Sequence, residues 1–347
     1  MSPVEREDRR RDRRALLGLL VCTALVTALV AGTVVWAQSK IPRVRHTEPA
    51  FAGLTDRPAR VPGPAGGALN LLLLGTDRRS DVPTTGEGAR AAAWEPGEQR
   101  TDTMMLVHVA ADRRSVQVVS LPRDSWVRVP GHGRAKINAA YSLGGLPRAV
   151  ETVETLTGVR LDHVAVVDWS GFRALADLAG GVRVRVPETV VDSIRDTTWT
   201  AGEHLLSGDE ALAYVGQRYG LPGGDLDRVR RQQAVLRALL TDSLHAEMRK
   251  DPEQSAHFVT EVLRHVAVDE TWSLTGILGF CASLRDLRTA DVRFLTAPVA
   301  GLGREGAQSV VHLDRPLGRE LWAAVRDDVA ATWLDRHPDL ETGDVVR

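Results

Sequence analysis

Residues 100–124, RTDTMMLVHVAADRRSVQVVSLPRD, restrict the fold more than any other stretch of the chain. Two runs rich in Val, Leu and Met are joined by ADRRS, a connection of hairpin length and composition, so they form adjacent antiparallel strands. A turn centred near Arg113 sets residues whose numbers sum to about 225 opposite one another, and Asp102 then faces Arg123. Arg100 and Asp124 fall at the same end. LNLLLLG, residues 69–75, is a continuous apolar run ended by Gly75, the pattern of a central strand buried on both faces. If it runs parallel to the second hairpin strand, Asp77 reaches the same sheet edge.

The first fourteen residues, MSPVEREDRRRDRR, hold six arginines, and residues 15–37 follow without a charge. At 1.5 Å per residue such a run spans the roughly 30 Å of a bilayer core. Six arginines before the run and none immediately after it orient the N-terminus to the cytoplasm. A cleavable signal peptide would have an apolar core of only about 7 to 15 residues. We therefore expect a cytoplasmic tail at 1–14, a transmembrane helix at 15–37, a Pro- and Gly-rich linker at 38–68, an extracytoplasmic domain at 69–335 and a C-terminal tail at 336–347. The protein would be a single-pass cell-membrane protein with its domain outside the cytoplasm. A net charge of −1 offers no basic field for nucleic acid, while 43% hydrophobic and 26% charged residues are globular proportions. With Cys22 inside the expected span, neither a disulfide framework nor a cysteine-based zinc site is expected.

Beyond the hairpin, helix and strand patterns alternate. KINAAYSLGGLPRAVETVETLTG reads as helical, RLDHVAVVD as a strand, WSGFRALADLAGG as a helix closed by glycine and VRVRVP as a strand. DVRFLTAPVA reads as a further strand and PLGRELWAAVRDDVAATWL as one amphipathic helix. The polar insert 79–99 reads as a mobile loop. This alternation implies an α/β layered architecture. SGDE at 207–210 reads as a capping box. His108 and His163 read as packing or surface residues; Trp169, Phe172, Leu175 and Leu178 either line a lipid tunnel or form plain helix core, the second being the default reading.

In GDLDRVRRQQAVLRALL, positions at 100° intervals put Val229, Val235, Leu236, Leu239 and Leu240 on one arc, with Arg228 and Gln232 inside it. Arg231 falls at the edge of the arc, and Arg230 and Arg237 point away. An arginine on the core side is costly unless a counter-charge or an anionic ligand meets it. The bland alternative is a salt-bridge network closing a sheet end, which would contribute little. Guanidinium groups suit phosphate oxygens, whereas carboxylates bind phosphate only through a cation. Arginines with two or three aspartates thus point to a Mg²⁺-bridged diphosphate.

LLLLGTD, RTDTMMLV, VVSLPRDSW, KINAAYSLGG, LAGGVRVRVP, GEHLLSGDEALAYV and DLDRVRRQQ resemble the successive signatures of the LytR-CpsA-Psr family, in order, over residues 69–240. The resemblance implies a layered α-β-α sandwich with a central mixed sheet enclosing an apolar tunnel for a lipid. It implies a membrane-anchored enzyme moving a glycopolymer, such as wall teichoic acid, from a polyprenyl pyrophosphate carrier to peptidoglycan, with Mg²⁺ or Mn²⁺. It places Asp77 and Asp102 on the metal and Arg100, Arg123, Arg218, Arg228 and Gln232 on the pyrophosphate. Lys136, in the KINAAY signature, takes a lesser role. Asp102, Arg123 and Arg218 are the expected catalytic group.

One position departs from the family. Two arginines usually flank one residue after ALAYV, and here AYVGQRYG offers Gly216 and Arg218. Either Arg230, Arg231 or Arg195 supplies the charge from elsewhere, or activity is weakened or altered. The alternatives to a transferase are a polyprenyl-pyrophosphate hydrolase and a lipid-carrier-binding or regulatory protein. The cytoplasmic tail is too short for a helix-turn-helix, so transcriptional regulation is not expected.

Overall fold

The apolar runs build one seven-stranded mixed sheet. The computed structural model describes residues 44–342, leaving aside 78–82, 86–88, 92–93, 96, 98, 218–219, 222–224 and 240–250. Its strands are β1 (Arg45–His46), β2 (Leu69–Asp77), β3 (Arg100–Val109), β4 (Val116–Ser120), β5 (His163–Asp168), β6 (Ala267–Val268) and β7 (Val292–Thr296), lying in the order β1-β6-β5-β2-β3-β4-β7. Met105 pairs with Ser120 and Leu106 with Val119, the register expected of the hairpin. β3 is antiparallel to both β2 and β4, so β2 and β4 run in the same direction, and Asp77 pairs with Arg100.

Helices cover both faces. They are α1 (Ala139–Thr157), α2 (Trp169–Leu178), α3 (Gly208–Gly216), α4 (Asp225–Ala238), α5 (Pro252–Leu263), α6 (Leu274–Ser283), α7 (Arg315–Arg326) and α8 (Ala330–Asp335). Alternation along β2 sends Leu72 and Leu74 into one core with α1, α7 and α8, and Leu71 and Leu73 toward a second core with α5 and α6. The result is the α-β-α sandwich. A third cluster lies beside it, where VRVRV (Val182–Val186) turns its valines inward and its arginines outward, paired with Gly202–Leu206 and packed on α3 and α4. Next to that pair, Val190–Asp192 and Thr197–Trp199 form a short hairpin.

Several expectations change. β2 does not end at Gly75 but continues to Asp77; at Gly75 a Cβ would lie 3.0 Å from Cβ of Thr103, its partner on β3 beside a register shift. The expected helix near 316–334 is two helices, broken where Asp328 takes φ 57° and its carboxylate accepts from His108 Nε2 (3.1 Å) and Ala111 N (3.2 Å). The segment read as a linker is part of the domain from residue 44. β1 pairs with β6, Ala50 is fully buried, and Arg57 binds Glu154 at 2.7 Å. At the other end, Arg293 pairs with Glu341 at 2.8 Å, so the residues read as a tail are held as far as 342. The insert read as mobile includes Thr84 and Thr85, both buried. The expected transmembrane helix at 15–37 lies outside the described residues; among those described, no helix is long and apolar enough to cross a membrane.

Candidate functional site

The second face of the sheet is only partly filled. A cavity of about 880 Å³ remains there, floored by Leu71, Leu73 and Met105 and walled by α2, α4 and α5 through Phe172, Leu236 and Val262. Trp169, Phe172, Leu175 and Leu178 line it rather than forming plain helix core, and Trp169 is 43% exposed. The periodicity of α2 marks an apolar face but does not say whether that face meets side chains or space. Polar groups gather where β2 and β5 end and β3 begins: Asp102, Asp168, Arg195, Arg228 and Gln232 all line the same cavity.

Asp102 reaches it because β3 is irregular there. Gly75 pairs with Thr103 and Thr76 with Thr101, so Asp102 is the extra residue of a β-bulge. Neighbouring residues of a regular strand face opposite ways, and a bulge re-aims one of them. Asp102 and Thr103 accordingly both line the cavity. Arg123, just past β4, binds Asp102 Oδ1 through Nη1 at 2.5 Å, as the hairpin register required. Lys136 pairs with the neighbouring Asp124 at 3.0 Å. Arg100 is exposed at the start of β3 and does not line the cavity.

On α4, Arg228 is only 2% exposed and lines the cavity with Gln232, as the helical arc implied. Arg231, expected at the arc's edge, is buried: its guanidinium stacks 4.2 Å from the Tyr214 ring centroid and donates to Gln217 Oε1 at 2.6 Å. Burial pulls its pKa below the usual arginine value. Gln233, not singled out from sequence, ties α4 to the sheet by donating to Ser120 Oγ (2.8 Å) and Leu295 O (2.9 Å). Leu240 and Arg218 lie outside the described residues, as does the side chain of Asp77, whose backbone ends β2.

Asp168 is a further residue the motifs did not flag. It caps α2 by accepting from Gly171 N (2.7 Å), and its other oxygen accepts from Thr84 N (2.6 Å) and Thr85 N (3.0 Å). Burial pushes this carboxyl up, but those hydrogen bonds outweigh it and hold the pKa below the ordinary aspartate value. The insert is thereby clipped to the rim of the cavity.

Among the described residues, no group of three or more His, Cys, Asp or Glu is placed to hold a metal by itself. Mg²⁺ is commonly held by one or two carboxylates together with phosphate oxygens and water. Asp102 at the cavity fits an ion shared with a phosphate ligand, and does not fit an all-protein cage.

The cavity is thus apolar over most of its lining and carries Asp102, Asp168, Arg195, Arg228 and Gln232. The LytR_cpsA_psr family model matches residues 39–326. The chain is 33% identical over 282 residues to the cell wall biosynthesis protein LcpA of Corynebacterium glutamicum, a match covering 72% of this chain and 54% of LcpA, so it spans about half the length of that relative. It is 32% identical over 335 residues to the probable cell wall biosynthesis protein LcpB of the same organism, covering 93% and 76%. The structure of TagT bound to LIIa-WTA, TagT being a B. subtilis protein, shares the fold with a TM-score of 0.60 at 22% identity, covering 80% of this chain and 98% of that one. The chain belongs to the LytR_cpsA_psr family.

Proposed function

We propose that this protein transfers a glycopolymer from a polyprenyl pyrophosphate carrier to peptidoglycan, forming a phosphodiester. The observation that carries this reading is one cavity joining an apolar bore of about 880 Å³ to Asp102, Arg228 and Gln232. A bore of that size and character accepts a prenyl chain, and guanidinium groups beside it suit diphosphate oxygens. The names of LcpA and LcpB, and of the TagT complex, support a cell-wall polymer as the cargo.

A hydroxyl of a muramic acid residue would attack the sugar-linked phosphorus, forming the new P–O bond as the bridging P–O bond breaks; polyprenyl phosphate leaves, and the hydroxyl proton passes to it or to solvent. Phosphoryl transfer depends mainly on positioning and on neutralising charge. Arg228 and Gln232 would hold non-bridging oxygens, while Arg123 fixes the direction of Asp102. Arg218 would complete the proposed pyrophosphate-binding set, Arg100 would act only from the sheet edge outside the cavity, and Lys136 steadies Asp124. Asp102 with Asp77 would hold Mg²⁺ or Mn²⁺, which supplies positive charge against the diphosphate when bound. Residues 15–37 would anchor the chain in the membrane with its domain outside the cytoplasm, next to the lipid substrate.

The test incubates the full chain in detergent with Mg²⁺, a polyprenyl-pyrophosphate glycan and peptidoglycan fragments. Glycan phosphate joined to the fragments is expected, and Arg123→Ala should lower the rate about 10²- to 10³-fold, the usual loss for one charge-stabilising donor. Release of free glycan phosphate alone would make the protein a hydrolase. Unchanged lipid that remains bound would make it a carrier-binding protein.

A further inference from the structure

Gly216 leaves room beside α3 that a side chain from another element enters. It is the last residue of α3, and its φ is not in the left-handed region, so an alanine would be tolerated by the chain itself. The space beside it is shared with another side chain: a Cβ at 216 would lie 3.1 Å from Nη2 of Arg195 and 3.8 Å from its Cζ, so the guanidinium would have to shift by a few tenths of an ångström. The guanidinium of Arg195 occupies the room a side chain at 216 would take.

Arg195 is brought there by the short hairpin of Val190–Asp192 and Thr197–Trp199, and it is held in place. Asp192, only 1% exposed, accepts from Ile194 N at 3.1 Å and Arg195 N at 3.4 Å through Oδ1, and from Arg195 Nη1 at 2.9 Å through Oδ2. With Nη1 on Asp192, Nη2 is the nitrogen turned toward Gly216. Arg195 and Gly216 line the same cavity as Asp102, Arg228 and Gln232. The side chain keeps 40% of its surface, which places it at the mouth and not in the bore. Ile194 beside it also lines the cavity and is 68% exposed. The hairpin tip therefore presents one apolar and one cationic side chain to whatever enters.

The two other arginines near enough in sequence to make up the missing charge are committed elsewhere. Arg230 is exposed and pairs with Asp227 at 3.0 Å. Arg231 is buried under Tyr214 with its Nη1 on Gln217. Neither lines the cavity.

We propose that Arg195 is an anion-binding residue of this cavity: from the hairpin it supplies, at the site of Gly216, a guanidinium for the phosphate oxygens of a prenyl diphosphate. The inference rests on the lipid-diphosphate reading of the cavity, and it makes the glycine an exchange of position and not a loss of charge.

The experiment uses the full chain in detergent micelles, titrated with geranylgeranyl diphosphate and separately with geranylgeraniol. Arg195→Ala should weaken the diphosphate at least tenfold and leave the alcohol within twofold; Arg195→Lys should fall between. In the Arg195→Ala background, Gly216→Arg should recover most of the lost diphosphate affinity, because it returns a guanidinium to the same place from the other side. Thermal melts identify any variant that fails to fold, and Arg195→Lys then carries the comparison. Loss of both ligands in parallel would reduce Arg195 to a structural role, and an absent rescue would show that positions 195 and 216 do not serve one site; either result overturns the proposal. If the unaltered protein binds alcohol and diphosphate equally, the lipid-diphosphate reading fails and this inference with it. If it prefers the diphosphate and Arg195→Ala keeps that preference, only the role of Arg195 fails.

Discussion

Arg228 and Arg237 occupy the same helix and face different surroundings. A wheel at 100° per residue puts Arg228 among the apolar residues of α4, and it is indeed buried on the cavity. The same wheel sends Arg237 outward, yet its guanidinium lies 4.8 Å over the Phe294 ring and donates to Thr342 O at 2.6 Å. A wheel knows one helix only, and the groups that cover Arg237 come from β7 and from residues 105 positions later. The burial of Arg231 was missed for the same reason, since Tyr214 and Gln217 belong to the preceding helix and its C-cap. The two fates predict different phenotypes. Arg228→Ala should weaken geranylgeranyl diphosphate at least tenfold in an equilibrium titration. Arg237→Ala should leave that affinity within twofold while lowering stability by about 1–3 kcal/mol through loss of a charged hydrogen bond. Equal affinity in both variants would remove the basis for placing a phosphate beside Arg228.

The hairpin of β3 and β4 was readable because two physical periods fix it. A side-chain period of two and a short turn leave one register that buries both apolar runs, and that register sets Arg123 against Asp102. The bulge at Asp102 was not readable, since nothing in RTDTMM distinguishes a regular strand from one carrying an extra residue. Asp168 shows the same limit at the next strand. Its capping of α2 follows from its place before WSGF, but its grip on Thr84 and Thr85 crosses 84 and 83 residues. The consequence is pH-dependent. Its folded pKa lies below the ordinary aspartate value of about 3.9, so the stability it contributes is complete above that value and is lost as pH falls through the folded pKa. Asp168→Asn should cost about 1–3 kcal/mol at pH 7 in urea unfolding, and the gap from the unaltered protein should narrow toward pH 3. A gap that stays constant would mean that the carboxylate charge is not what holds the insert.

At the scale of the molecule, the alternation of strands and helices was enough to indicate a layered α/β sandwich, whereas its limits were misread at both ends. Residues 44–68 lack periodicity and are rich in Pro and Gly, the signature of a linker, but composition reports flexibility of the isolated chain and not the contacts a folded domain offers it. What holds this stretch is long-range. Arg57 Nε and Nη2 grip the carboxylate of Glu154, 97 residues away, and Glu154 is only 3% exposed. Glu154 also accepts from Leu161 N at 2.9 Å, tying the end of α1 to the segment leading into β5. Removing one partner of a buried ion pair leaves an uncompensated charge and costs about 3–5 kcal/mol. Arg57→Ala should therefore destabilise by that amount in denaturant unfolding, and Arg57→Ala with Glu154→Gln by less than the single change. A chain starting at residue 69 should lose the same pair together with β1 and the burial of Ala50, and melt well below one starting at residue 44. Indistinguishable melting of the two truncations would restore the linker reading and put the edge of the domain back at β2.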